Sequence, residues 1–98
     1  MHHFMTDLEL QNIINNLREY TLKKRQSAFS KHAVFFLGVI DMVCCLTELG
    51  LYEPRPITKE EEHWFEGAYH MNFWDSEIEA TLYSPLVQEV RRRNFFRQ

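Results

Sequence analysis

Apolar residues near the start of the chain recur with a helical period. Leu10, Ile13, Ile14, Leu17, Tyr20 and Thr21 fall three and four positions apart, with Gln11, Asn12, Asn15, Asn16, Glu19 and Lys23 between them. That spacing lays one apolar stripe along an amphipathic helix over 7–25. Thr6 and Glu9 form a capping box at its start, a hydroxyl at the N-cap and a carboxylate three residues on. Lys23, Lys24 and Arg25 suit the negative end of its dipole.

The alternation then disappears. From Ala33 to Leu51 nearly every helical face is apolar, with Asp41 and Glu48 the only charges. Ser27 or Ser30 can start this second helix, expected at about 30–49. Gly50 is its expected stop, with Leu51 making the hydrophobic contact of a glycine cap. A span of this kind is either the centre of a bundle or a membrane crossing, which wants about 20 apolar residues. Asp41 decides between them. A carboxylate at mid-span costs about 2.5–3.5 kcal/mol on insertion, so the bundle centre is preferred over a membrane helix at 33–51. Asp41 then needs a polar partner or the solvent edge. An apolar face too large for this chain to cover would also suit a homodimer through the 33–50 helix.

Pro54 and Pro56 mark a linker at 52–57. Thr58 and Glu61 form a second capping box, opening a helix from 59 to about 73. Its inner face is expected to carry Trp64, Phe65, Ala68, Tyr69 and Met71 or Asn72, followed by Phe73 and Trp74. Gly67 within it would let another helix approach closely. Ser76 and Glu79 make a third box, starting a short helix through about Tyr83. Ile78, Ala80 and Leu82 would also suit a strand. Ser84 and Pro85 read as N-cap and first residue of a last helix over 85–94. The expected fold is all-α: one domain, 1–98, a bundle of four to five helices around the apolar one.

Composition agrees with one domain: 98 residues, 45% hydrophobic and 14% aromatic, too apolar for a disordered chain. The formal charge of −3 excludes a strongly basic nucleic-acid coat. It also hides a segregation. Lys59 against Glu60, Glu61, Glu62, Glu66, Asp75, Glu77 and Glu79 makes 59–79 net −6, whereas Arg91, Arg92, Arg93 and Arg97 make the last eight residues +4. Cys44 and Cys45 are adjacent, which suits neither an ordinary disulfide nor a metal site and favours a reducing, cytoplasmic setting. No secretory leader pattern precedes the first helix.

Little here reads as catalytic. His63, Glu66 and His70 share a helix face, but two turns, about 10.5 Å, separate the histidines, too far for one ion. Cys44 and Cys45 sit in the most apolar segment, where thiols are packing residues. The glycines are isolated, so no phosphate loop forms. The expectation is a protein that is not an enzyme and needs no metal or cofactor. Five aromatics, Trp64, Phe65, Tyr69, Phe73 and Trp74, stud the acidic segment. Aromatic anchors with a carboxylate rim suit a partner protein with a basic surface. The residues expected to bind it are Trp64, Glu66, Tyr69, Phe73 and Trp74. The type this suits is a stoichiometric inhibitor that occludes its target, such as a toxin-immunity or phage counter-defence protein. The alternative is a nucleic-acid-binding regulator using Arg91, Arg92, Arg93 and Phe95.

Overall fold

The computed structural model describes residues 5–27, 30–53, 58–71 and 75–93. The fold is an all-α bundle of four helices. Helix α1 spans Asp7–Arg25 and α2 spans Lys31–Tyr52. Helix α3 spans Lys59–Tyr69. The last helical run, 76–93, has three parts: α4 (Ser76–Ile78), a π-helical turn (Glu79–Tyr83) and α5 (Ser84–Arg93).

Local chemistry fixes the starts. Thr6 accepts from the Glu9 amide at 3.1 Å, and the Glu9 carboxylate accepts from the Thr6 amide at 3.0 Å. Thr58 and Glu61 repeat the arrangement at 3.0 and 2.8 Å. Each box satisfies two amides that a helix start otherwise leaves open. Thr6→Ala is therefore expected to cost about 1 kcal/mol of stability, measured by urea unfolding. Ser30, not Ser27, caps α2, accepting from the Ala33 amide at 3.1 Å.

Four boundaries differ from the sequence expectation. Helix α2 passes Gly50 and ends at Tyr52. Leu51 packs against the core and the Tyr52 hydroxyl donates to Gln11 at 2.7 Å, so the last turn is held and no glycine stop forms. Helix α3 ends at Tyr69, short of 73. In the next helix Asp75, one residue before Ser76, is the cap and accepts from the Ile78 amide at 3.2 Å. The 76–83 segment is helical, and Ser84 does not start a new helix. It continues the run, its amide bonding back five residues to the Glu79 carbonyl. Pro85 accounts for this widening. It has no amide to give, and its ring would strike the carbonyl four residues back in a regular α-turn. Of the linker, Tyr52 belongs to α2, and 54–57 lie outside the described residues.

The core follows the α1 stripe. Leu10, Ile14, Leu17 and Thr21 are buried against Ile40, Val43, Cys44 and Thr47 of α2. This α1–α2 pairing is the most extensive in the molecule. Phe65 and Ala68 of α3 close the core with Tyr83, Leu86, Val87 and Val90. Asp41 has the polar partners it needs: its carboxylate meets the Thr21 hydroxyl at 3.1 Å and the Arg25 guanidinium. Glu48 likewise receives Arg18 at 2.6 Å and Gln11 at 3.0 Å. Those contacts hold its carboxyl below the usual range.

Candidate functional site

Helix α2 has two apolar faces, and α1 covers only one. The connection 53–58 is short, and α3 meets α2 along the other. Phe35, Phe36, Val39 and Met42 lie on that second face. These residues lie 10 to 17 positions before Tyr52, about 15–26 Å back along the axis. The two helices do not close on each other. Phe65 and Ala68 reach the core, while Gly67 faces outward with nothing within 4 Å of where a Cβ would stand. The expected close helix approach at Gly67 is thus not made. An apolar groove of about 670 Å³ opens there instead. Its α3 wall is His63, Trp64, Gly67, Ala68 and Met71.

The groove's upper edges are exposed. Phe35 is 66% and Trp64 46% accessible, and neighbouring Val34 is 54%. Large apolar side chains in this state, grouped at one site, mark interaction surfaces. Polar residues flank these side chains on both helices. Lys31 and His32 precede Phe35 by one turn of α2. Glu60 precedes Trp64 by one turn of α3, and Glu62 lies on the far side of that helix. All four are exposed.

The residues expected to bind a partner separate into two groups. Trp64 lines the groove. Glu66 and Tyr69 face the α5 side, where Arg91 claims both. Its guanidinium donates to Glu66 Oε1 and Oε2 at 2.9 and 2.7 Å and lies 3.8 Å from the Tyr69 ring centroid. Phe73 and Trp74 lie outside the described residues. Sequence reasoning missed Phe35, Phe36, Val39 and Met42.

The arginine run is paired within the fold. Arg92 and Arg93 both donate to the buried Glu89 carboxylate, and Arg93 also reaches Asp7 at 2.5 Å and the Met5 carbonyl at 2.8 Å. Burial pushes the Glu89 carboxyl up, but the two guanidinium groups outweigh it and hold it below its ordinary value. Phe95 lies outside the described residues. Of the basic residues on α1, Arg25 pairs with Asp41 and Lys23 with Glu19 at 3.2 Å.

Chemically the remaining groups are quiet. Burial pushes the Cys44 thiol up to about 12, which leaves it protonated at neutral pH. Cys45 is exposed, and the Arg18 guanidinium lies 3.5 Å from its sulfur. His70 sits 4.0 Å from Glu66, a carboxylate that Arg91 already engages. Among the described residues no three His, Cys, Asp or Glu side chains are grouped to hold a metal ion. Helix α2 is long and apolar enough to cross a membrane by length and composition. No family model matches the chain, and neither a curated protein nor a solved structure matches it.

Proposed function

We propose that this protein works by binding another protein, and that the α2/α3 groove is its docking surface. The observation that carries the reading is an exposed apolar groove, walled by Phe35 and Trp64. Such a groove suits the apolar face of a partner helix. Glu60, one turn before Trp64 on the same face of α3, suits a basic side chain on that helix. An inhibitor that occludes a target surface at fixed stoichiometry, as toxin-immunity and counter-defence proteins do, needs no chemistry beyond this.

Two other readings are weaker. Nucleic-acid binding through Arg91, Arg92 and Arg93 would first have to break the pairs to Glu66, Glu89 and Asp7. A membrane span by α2 would bring Asp41 and Glu48 into lipid together with Arg25 and Arg18.

The test is affinity capture from host lysate, followed by the mass of the intact complex. Phe35→Glu should abolish the complex while leaving helical circular dichroism unchanged, because Phe35 is exposed. Leu22→Glu, on α1 and equally exposed, should leave the complex intact. A complex retained in full by Phe35→Glu would sink the groove as the docking surface.

A further inference from the structure

We propose that the end of the molecule where α1 finishes and α2 begins is a contact site for an anionic lipid surface. This surface is separate from the groove and shares only Phe35 with it. Helices α1 and α2 run antiparallel: Arg18 meets Glu48, Arg25 meets Asp41, and Tyr52 reaches Gln11. The last turn of α1 and the first turns of α2 therefore lie at one end. Every described residue there from Leu22 to His32 is exposed, as are Val34 and Phe35. Leu22, 63% accessible, stands on the α1 face that carries Arg18 and Arg25. Val34 stands on the α2 face that carries Asp41. Leu22 and Val34 thus border the same seam, with Phe35 on the adjoining face.

Charge selects the occupant. Between Glu19 and Asp41 the sequence holds no acid, but it holds Lys23, Lys24, Arg25 and Lys31. Lys23 and Arg25 pair with Glu19 and Asp41, whereas Lys24 and Lys31 make no ion pair among the described residues. Asp75 approaches from the next helix, but the Tyr20 hydroxyl at 3.4 Å and the Ile78 amide at 3.2 Å engage its two oxygens. Other exposed apolar side chains keep acidic company: Leu8 sits between Asp7 and Glu9, and Tyr52 precedes Glu53. Cations around projecting apolar side chains suit an anionic bilayer, with the lysines at lipid phosphates and the apolar groups in the acyl boundary. A nucleic acid would use the lysines but leave Leu22 and Val34 in water.

Depth separates this contact from a membrane span. Apolar groups at such a surface lodge about 5–10 Å below the headgroups. With α2 standing on the surface, Asp41 is seven residues, about 10.5 Å, farther out than Val34. Asp41 and its partner Arg25 therefore stay at the wet side, and Glu48 lies farther out still.

The experiment is co-sedimentation of the full chain with sucrose-loaded vesicles. One set is phosphatidylcholine alone, and the other is equal parts phosphatidylcholine and phosphatidylserine. The wild type should pellet with the second set only, and less so as salt rises. Leu22→Glu and Val34→Glu should each weaken binding at least about tenfold, because each removes a buried aliphatic group. The double variant K24A/K31A should also weaken it at least about tenfold, since one lysine near an anionic surface is worth about fivefold. Leu8→Glu, at the start of α1, should bind as the wild type does. All these side chains are exposed, so helical circular dichroism should be unchanged in every variant.

A wild type that pellets with neither set, or with both alike, overturns the inference. So does binding that survives Leu22→Glu and Val34→Glu. A DNA duplex shifted on a gel equally by the wild type and by Val34→Glu would assign the lysines to nucleic acid and overturn it too. Partner capture is read separately. If vesicles bind as described yet Phe35→Glu keeps its partner, the groove reading falls and the lipid contact stands. If no vesicles bind yet Phe35→Glu loses its partner, the reverse holds.

Discussion

Phe65→Ala should lower stability by about 3–5 kcal/mol, the usual cost of emptying a phenylalanine site in a core. Phe65 is fully buried and is the largest such side chain among the described residues. With Ala68 it joins α3 to a core otherwise built from α1, α2, the π-helical turn and α5. A domain of this size holds only about 5–10 kcal/mol in total, so the variant should lose a large part of its margin. Guanidinium unfolding checks this: the midpoint should fall steeply at unchanged slope. Trp64→Ala, one residue earlier and half exposed, should fall by less than about 1 kcal/mol. The contrast between neighbours separates core from groove. Comparable losses at both positions would place Trp64 in the core and close the groove.

Glu89→Ala should be the second large effect. Glu89 is only 5% exposed, and its carboxylate gathers Arg92 and Arg93. Arg93 in turn ties α5 to the start of α1 through Asp7 and the Met5 carbonyl. Removing the carboxylate forfeits charged hydrogen bonds and strands a partly buried guanidinium, at a cost of about 2–3 kcal/mol. The same group sets an acid dependence. Its carboxyl is held below the ordinary value in the fold, so its contribution is complete above the unfolded pKa of about 4.3. As pH falls through the lowered folded value the contribution is lost. Glu48, also lowered, acts in the same direction. Stability of the wild type should therefore decline below about pH 4.5. Glu89→Gln should start lower and show a shallower decline. An identical pH slope in that variant would remove Glu89 from the account.

The helices were legible where local chemistry alone decides. Thr6 and Thr58, each with a glutamate three residues on, marked the starts of α1 and α3. The apolar run of α2 could only be a long buried or membrane-type helix. Ends were less legible, because tertiary contacts set them. Gly50 looks like a stop, but Leu51 finds the core and Tyr52 finds Gln11, and the helix continues. Asp75 and Ser76 are competing caps, and only the structure says which one meets an amide. Pro85 reads as a helix start, yet a π-turn absorbs it inside a continuing helix.

The groove was half legible. The sequence implied that α2 carries more apolar surface than 98 residues can cover. It could not say which residues were left over. A helix apolar on every side has no periodicity to divide its faces, so Phe35, Val39 and Met42 gave no separate signal. The acidic aromatic segment misled for a different reason. Glu66 and Tyr69 have the composition of a binding face, but Arg91, 25 positions on from Glu66, covers them. A pairing of that range cannot be read from spacing.

The most direct test of the central claim is methyl NMR on the two groove methionines. Met42 and Met71 sit on opposite walls, and Met5 lies at the start of α1, outside the groove. Their methyl relaxation by a paramagnetic cosolute should be measured on the free chain and on the captured complex. If the groove is a docking surface, Met42 and Met71 are reached by the cosolute in the free chain and shielded in the complex, while Met5 is unchanged. If Met42 and Met71 relax equally in both states, nothing docks in the groove and the account is wrong.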